Sequence, residues 1–340
     1  MSSEPKLVRV LKGSAEKVPP VWLMRQAGRY LPEYRELRAR AGSFWAMALT
    51  PAYAAEVTLQ PIRRFGFDAA ILFSDILTVP EALGQKVTFT EGEGPGLKPV
   101  TTARGFVEDR EAWARYFEPV YEALRLTRAG LPEGTTLLGF AGAPWTLATY
   151  LAAGAGGDEQ KAAKLWAYRD PQGFETLLDI LGECVAFHLI RQIDAGADAV
   201  QIFDSWASGL PAALFDQVVI RPTKKIVDAV RAARPKAKII GFPRAATLTG
   251  YEAYVRATGV DAVSLDTAAP MDWAAKSLPC ALQGNLDPIA LIAGGAALDR
   301  AVDDILQATA GKPHIFNLGH GILPETPIVH VEQLLKRIRG

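Results

Sequence analysis

The sequence predicts an α/β protein, an irregular (β/α)8 TIM-type barrel with an added N-terminal helical layer. Short apolar runs that end in Gly, Ser, Asp or Asn recur along the 340 residues, and helical periodicity separates several of them. This alternation is typical of a parallel sheet buried on both faces. The length also suits one α/β barrel, so we predict a single domain over residues 1–340, with a doubly wound open sheet as the alternative.

Seven of the apolar runs predict buried parallel strands. They cover residues 69–75, 137–143, 199–205, 238–243, 262–266, 281–285 and 314–320. The barrel needs an eighth strand, which the pattern does not place. Its candidates are residues 21–24 and 87–100, and we interpret 87–100 as a β-hairpin instead.

The clearest helix of the sequence follows Pro171. Nine residues there form one stripe of period 3.6, namely Phe174, Leu177, Leu178, Leu181, Cys184, Val185, His188, Leu189 and Ile193. Residues 1–68 predict a helical layer packed on the barrel rather than a separate domain. Within that layer, Thr50 and Pro51 are a typical helix start, and Pro61 should kink or end the helix that follows.

Composition excludes several classes of function. The chain has 37 basic and 37 acidic residues, which argues against a protein-wide field for nucleic acid or membrane binding. The first residues contain no apolar signal segment, and the long uncharged stretch from Gly134 to Gly157 is interrupted by Pro144 and several glycines. Two cysteines, Cys184 and Cys280, suit reduced thiols, so we expect a cytoplasmic protein.

Polar residues that end parallel strands should meet at the C-terminal face of the barrel, where active sites are built. The strand-end residues of this set are Ser74, Asp75, Asp204, Ser205, Arg244, Asp266, Asn285 and His320, together with the apolar Phe203, and the loop after the second strand adds Tyr150. Because side chains alternate along a strand, Asp204 is predicted to point the other way from Phe203 and Ser205. For Ile71 and Phe73, alternation along the strand likewise leaves open which side chain faces the site, and core packing is favoured for Ile71.

Familiar cofactor and nucleophile signatures are missing. The "GAGG" at 154–157 is neither a dinucleotide fingerprint nor a phosphate loop, and no G-x-S-x-G elbow occurs. Cys184 and His188 have a spacing that suits two metal ligands on one helical face, but they lie on the apolar stripe, so we predict core packing.

Five motifs carry a resemblance to a known family. They are "MRQAGRY" (24–30), "FSDIL" (73–77), "GAPWTLATY" (142–150), "QIFDSWA" (201–207) and "NLGHGI" (317–322). In this order and spacing the chain closely resembles the uroporphyrinogen decarboxylase family over nearly its whole length. The resemblance implies a homodimer without cofactor or metal. It would remove carbon dioxide from the four acetate side chains of uroporphyrinogen III, through partially decarboxylated intermediates, to give coproporphyrinogen III.

The substrate that the resemblance implies carries eight carboxylates outside and four pyrrole N–H groups inside. Arg25 and Arg29, four residues apart, would present guanidinium groups from one face if their segment is helical, and Gly28 would allow close approach. Asp75 would accept the pyrrole N–H groups and stabilise developing positive charge, although its position also suits a helix N-cap. Arg25 would bind substrate and act in catalysis, with either Arg25 or a carboxylate-bound water as the proton donor.

The resemblance implies further contacts with substrate. These residues are Gln26, Arg29, Phe73, Tyr150, Phe203, Ser205 and His320. Gly319 and Gly321 flank the histidine and favour its exposure at the strand end. In contrast, Arg35, Arg38 and Arg40 are interpreted as solvated surface.

Two other functions stay open at this point. Zinc-dependent methyltransferases share the barrel superfamily, but they use a His-x-Cys pair and a later cysteine, which this sequence lacks. A non-catalytic tetrapyrrole carrier would need the arginines without needing Asp75. A turnover measurement separates the carrier from an enzyme, because fold alone decides neither.

Overall fold

The computed structural model describes residues 4–90, 94–156 and 158–340. Seven strands form one parallel sheet in the order β1-β4-β5-β6-β7-β8-β9. The strands are β1 (Ala69–Ile71), β4 (Thr136–Gly142), β5 (Ala199–Asp204), β6 (Ile239–Pro243), β7 (Ala262–Ser264), β8 (Ala281–Leu286) and β9 (His314–Leu318). All seven predicted strands are therefore confirmed, although β1 ends four residues earlier than expected.

Of the two candidate regions for an eighth strand, one forms a hairpin outside the barrel sheet and the other bridges to β9. Strands β2 (Val87–Thr90) and β3 (Gly94–Leu97) pair antiparallel, which confirms the predicted hairpin. Val21 forms a parallel bridge with Phe316 of β9, and its carbonyl accepts from the N–H of Asp68, just before β1, at 2.9 Å. Because β1 and β9 are the edges of the sheet, the segment around Val21 takes the eighth position between them.

Sixteen α-helices in the described chain surround the sheet. The N-terminal ones are α1 (Lys6–Leu11), α2 (Pro32–Ala41), α3 (Phe44–Leu49) and α4 (Pro51–Phe65). The others are α5 (Thr78–Ala82), α6 (Arg110–Gly130), α7 (Pro144–Ala153), α8 (Lys161–Arg169), α9 (Pro171–Asp194), α10 (Ala212–Phe215), α11 (Arg221–Ala233), α12 (Leu248–Thr258), α13 (Met271–Ser277), α14 (Pro288–Ala293), α15 (Gly295–Ala308) and α16 (Ile328–Arg339), with a π-helical turn at Asp216–Ile220.

Helices α4 and α9 test the predicted helix signals. Helix α9 contains the whole predicted apolar stripe, and α4 begins at Pro51 as expected. Of the two predicted effects of Pro61, a kink or an end of the helix, the end is contradicted, because α4 continues to Phe65. Pro61, Ile62 and Phe65 are all buried, so packing of this last turn outweighs the hydrogen bond that proline cannot donate.

The barrel interior is apolar at its N-terminal end. Leu7, Val10 and Leu11 of α1 share one buried cluster with Ala69 and Ala199, the first residues of β1 and β5. Helix α1 therefore covers this end of the barrel. The opposite end, where the strands finish, is left to build a site.

Candidate active site

The floor of the C-terminal mouth is aromatic. Phe203, near the end of β5, packs edge-on against Phe140 and Phe242, with ring centroids 5.6 and 6.0 Å apart. All three belong to or border the interior cluster, so Phe203 faces into the barrel as predicted. A flat apolar ligand would meet ring edges and faces here rather than polar groups.

The arginine-rich segment before α2 is a turn. Arg25 and Arg29 would share one face only in a helix, and this condition is not met, because Arg25 has a φ of 64° and the helix begins only at Pro32. The bonds within this segment are isolated turn bonds, from the N–H of Gln26 to Leu23 at 2.9 Å and from Leu31 to Gly28 at 3.0 Å. Met24 bonds to the β9 side of the barrel: its N–H donates to Asn317 at 2.9 Å, and its carbonyl accepts from Ile322 at 2.8 Å. Contact with β9 thus replaces helical hydrogen bonding.

Gln26 fixes this turn from inside. Its side chain is fully buried; Oε1 accepts from the N–H of Leu23 at 3.1 Å, and Nε2 donates to the carbonyl of Ala69 at 3.0 Å. The hydroxyl of Tyr30 donates to the Gln26 carbonyl at 2.9 Å. Both ends of the side-chain amide are therefore bonded to backbone groups. The predicted contact of Gln26 with substrate is replaced by a structural role, in which its side chain holds the turn.

Two glycines of the β9 loop allow close approach. A Cβ on Gly321 would lie 2.4 Å from Cδ of Arg25 and 3.0 Å from its Nε. A Cβ on Gly319 would lie 2.3 Å from the backbone N of Thr267. The two glycines were expected to expose His320, but His320 is half-buried. Their missing side chains instead let Arg25 and the loop after β7 pack against this loop.

Asp75 lies near Arg25, four residues beyond the end of β1. Its Oδ1 accepts from the N–H of Leu77 at 2.8 Å, which makes a tight turn before α5, and its second oxygen has no hydrogen bond within the described residues. Helix α5 has Leu77 at its N-cap, so the helix-capping interpretation of Asp75 does not hold. Burial raises the pKa of Asp75 to about 6, against the lowering effects of the Leu77 N–H and the Arg25 guanidinium.

His320 lies close to two arginines. Burial, together with the positive charges of Arg244 and Arg25, lowers the pKa of His320 to about 4. Its Nδ1 is buried without a partner within the described part of the chain. At neutral pH the ring is therefore uncharged and has one nitrogen open to a ligand.

Tyr150 and Ser205 belong to the α7 and β5 side of the mouth. The Tyr150 ring lies 6.3 Å from that of Trp206, edge to face, and the Ser205 carbonyl accepts from Arg244 at 3.4 Å. Asp204 points away from the mouth, as predicted: its Oδ1 accepts from Thr146 at 2.6 Å, and burial raises its pKa to about 7.

Phe73 and Arg29 connect the mouth to the helical layer. The half-buried Phe73 ring packs edge-on against Tyr34 of α2 and Phe44 of α3, at 5.8 and 5.5 Å between centroids. The Arg29 side chain is exposed and close enough to Tyr34 to oppose the rise in its pKa that burial causes. Arg35 donates to the Arg29 carbonyl at 2.7 Å.

Arg244 and Asp266 were predicted only to lie at this end of the barrel. In the structure, Asp266 also fixes the loop that carries Arg244. Asp266 Oδ2 accepts from the N–H of Ala245 at 2.9 Å and from the Tyr251 hydroxyl at 2.7 Å. The sequence signal was the position of each residue directly after a predicted strand. The hydrogen bonds by which Asp266 holds the neighbouring loop were not visible in the sequence.

The two cysteines are distant from this mouth. Cys184 is fully buried on α9, and His188 stacks on Phe117 at 3.9 Å while its Nδ1 meets the Tyr121 hydroxyl, so the predicted core packing is confirmed. Burial raises the pKa of both thiols, that of Cys280 to about 12. Within the described ranges, no three His, Cys, Asp or Glu side chains gather as metal ligands. None of the described helices has the length and apolar run needed to cross a bilayer.

The mouth of this parallel barrel places the half-buried carboxylate of Asp75 beside Arg25, and it places Arg25 and Arg244 near His320 without an ion pair to any described acid. This arrangement is typical of an enzyme class that acts on a polyanionic small molecule. The sequence comparisons specify the family. A sequence model described as uroporphyrinogen decarboxylase (URO-D) matches residues 2–340, and the chain belongs to this family. Among its relatives are the uroporphyrinogen decarboxylases of Brucella anthropi, 54% identical with 98% of each chain covered, and of Rhizorhabdus wittichii, 54% identical with 98% of this chain and 97% of the relative covered.

Solved structures agree on the fold. A methyltransferase from Methanosarcina mazei superimposes with a TM-score of 0.81 at 20% identity, over 98% of this chain and 97% of the other. A B12-independent methionine synthase from Shewanella superimposes with a TM-score of 0.52 at 12% identity, over 96% of both. At these identities the likeness concerns the barrel alone, which hosts several chemistries.

Proposed function

We propose that this protein decarboxylates the four acetate side chains of uroporphyrinogen III to give coproporphyrinogen III. The observation that carries the proposal is the pair of Asp75 and Arg25, a carboxylate with one unbonded oxygen beside an arginine that forms no ion pair with any described residue. A ligand with anionic groups outside and N–H donors inside complements this pair. The aromatic floor under the mouth suits the flat face of a pyrrole.

The reaction needs a place for the electron pair of the breaking bond. Protonation of the pyrrole carbon next to nitrogen makes an iminium-like cation; cleavage of the bond to the carboxylate then sends its electron pair into that cation and releases carbon dioxide. The methylene carbon left behind takes a proton, the ring proton is lost, and a methyl group results. Asp75 stabilises the cation and accepts the pyrrole N–H, which lowers the barrier by electrostatic complementarity.

Arg25 binds the reacting carboxylate in this proposal. Guanidinium groups have a reference pKa above about 12 and are poor acids, so we assign proton delivery to a water held by Asp75. Gly321 supports the arrangement, because its missing Cβ lets the Arg25 side chain lie against the β9 loop. Tyr150, Ser205 and neutral His320, in the tautomer that carries its proton on Nδ1, donate hydrogen bonds to other substrate carboxylates. Phe73 and Phe203 contact the pyrrole rings.

Turnover itself tests the proposed function. The protein is incubated without oxygen with chemically reduced uroporphyrin III, and products with seven, six, five and four carboxylates are separated by chromatography. We expect all four to appear in succession. Stoichiometric binding without any loss of carboxylate would favour the carrier function instead.

Arg29→Ala should weaken substrate binding. Loss of one exposed charge-assisted hydrogen bond is expected to raise KM by about 10-fold or more, equivalent to about 1.5–3 kcal/mol. Arg29→Lys should recover only part, since an ammonium cannot make a bidentate contact. Arg40→Ala is the matched control, because Arg40 is also exposed but lies in the last turn of α2. Normal KM in Arg29→Ala would remove Arg29 from the site.

We propose that the reaction needs no metal. Chelator-treated protein should contain far less than one zinc per chain and should retain its full rate of decarboxylation. The Cys184→Ala, Cys280→Ala double variant should behave alike if it folds, because both thiols lie away from the mouth and have raised pKa values. Zinc whose removal abolishes decarboxylation, and whose return restores it, would overturn the proposal of a metal-independent reaction.

We further propose that residues 1–340 form one domain, that two copies assemble, and that the protein works in the cytoplasm. Helices α4 and α6 pack together, and α4 packs on β1, which supports a helical layer continuous with the barrel. The free cysteines suit a reducing compartment. Light scattering should give twice the chain mass of 36.7 kDa. A mass of one chain would overturn the dimer.

A further inference from the structure

Arg244 holds an unusual position among the arginines of the described chain. It follows β6 directly and is half-buried, and it forms no ion pair with any described residue. Other arginines of the chain are neutralised: the half-buried Arg231 pairs with Asp261, and Arg221 pairs with Asp216. Partial burial of a guanidinium without an anion is unfavourable. Its place in the fold therefore leaves room for an anionic partner that comes from outside the chain.

One other arginine in the described ranges, Arg38, is also half-buried without an ion pair. Arg38 lies in the last turn of α2, where the helix dipole stabilises a cation. Arg244 has no helix end of this kind, since it lies in the loop between β6 and α12. Its titratable neighbour at the mouth is His320, which is also close to the charge of Arg25. The Asp266 carboxylate bonds to Ala245 and Tyr251 of the same loop region and forms no ion pair with Arg244.

The loop holds Arg244 in a fixed place. Its N–H donates to the carbonyl of Asp204 at 3.0 Å, and the next residue, Ala245, has a φ of 56° and donates to Asp266 at 2.9 Å. The Tyr251 hydroxyl donates to the same Asp266 oxygen at 2.7 Å. A positive φ at alanine is strained, so the surrounding bonds must maintain it. The guanidinium is thereby pointed over Ser205, whose carbonyl lies 3.4 Å from Nη1.

We propose that Arg244 is a further carboxylate-binding arginine of this active site, and that it holds a propionate of the tetrapyrrole at the Ser205 and His320 side of the mouth. This inference rests on the proposed function. Propionates persist in the substrate, in every intermediate and in the product, whereas each acetate must in turn reach Asp75. A contact away from Asp75 that serves all four decarboxylations therefore suits the group that is never consumed.

Two measurements test the assignment with the variants Arg244→Ala and Arg244→Lys. The first is the dissociation constant of coproporphyrinogen III, whose only carboxylates are propionates, measured by anaerobic equilibrium dialysis. The second is the steady-state kinetics of uroporphyrinogen III decarboxylation. Arg256→Ala is the matched control, because Arg256 is an exposed arginine of α12 without an ion pair in the described chain.

Arg244→Ala should weaken binding of coproporphyrinogen by about 10- to 100-fold and raise KM alike, with kcat changed less than about threefold. Arg244→Lys should restore part of the affinity, and Arg256→Ala should match the parent. Unchanged affinity and KM in Arg244→Ala would overturn the proposal, as would a loss of kcat or thermal stability with affinity intact, which indicates a structural role. A parent protein that binds coproporphyrinogen but never turns over uroporphyrinogen would overturn the proposed function and not this assignment.

Discussion

Asp75→Asn is expected to lower kcat by about 100- to 1000-fold while the protein stays folded, the loss typical of removing one preorganised group that stabilises a transition state. Asparagine keeps the shape and accepts a hydrogen bond from Leu77, but it carries no charge to stabilise the cation. Asp75→Glu should be intermediate, since the charge remains and one methylene displaces it. The measurement is single-turnover decarboxylation, with circular dichroism to check the fold.

Because the pKa of Asp75 is raised in the parent protein, Asp75→Asn should also change the thermal stability and the pH dependence of activity. The pKa of Asp75 rises from 3.8 in the unfolded chain to about 6 in the folded protein, so its contribution to stability is present below pH 3.8 and is lost as the pH rises through 6. At pH 7.5 the buried charge is therefore destabilising, and Asp75→Asn should unfold at the same temperature as the parent or a higher one. In the parent, kcat/KM should fall below about pH 6 as the carboxylate becomes protonated.

Retention of the parental rate by Asp75→Asn, with normal substrate affinity, would contradict the central role of the carboxylate. An acid limb at the same pH in this variant would assign that limb to another group. Thr78→Val is a useful control, because Thr78 bonds to the Asp75 carbonyl at 2.8 Å and not to its carboxylate. It should lose less activity than Asp75→Asn.

Gly321→Ala is expected to lower kcat/KM by about 100-fold, because a displacement of about 1 Å in a positioned group has effects of this size. The new Cβ would lie 2.4 Å from Cδ and 2.8 Å from Cγ of Arg25. Gly321 is not in the left-handed region, so alanine is tolerated by its backbone, and the long arginine side chain is what must move. Activity and thermal stability are measured together.

Gly182→Ala serves as the matched control for this substitution. Gly182 lies inside α9, and a Cβ there would make only ordinary contacts at 3.9 Å with Ile226 and Pro144. Alanine in a helix interior should leave activity unchanged and should add stability of about 0.5–1 kcal/mol. If Gly321→Ala is as active as Gly182→Ala, the position of the Arg25 side chain against the β9 loop is not required for activity.

The sequence by itself determined the strands, the main helices and the end of the barrel where polar groups meet. Apolar runs of strand length are buried on both faces of a parallel sheet, and all of those predicted here were found in it. The stripe of α9 was readable for the same reason, since a period of 3.6 depends only on local geometry. The alternation along β5 likewise predicted the opposite directions of Phe203 and Asp204.

The tertiary structure alone decided how the segment of Arg25 and Gln26 is held. Its spacing fitted a helix, but hydrogen bonds to Asn317 and Ala69, nearly 300 and about 40 residues away, made it a turn. Long-range contacts also placed Val21 in the eighth position of the barrel. They brought Arg25 so close to Gly321 that there is no room for a Cβ at this position. Local patterns report the periodicity of one segment, whereas these choices depend on which partner a backbone group finds across the fold.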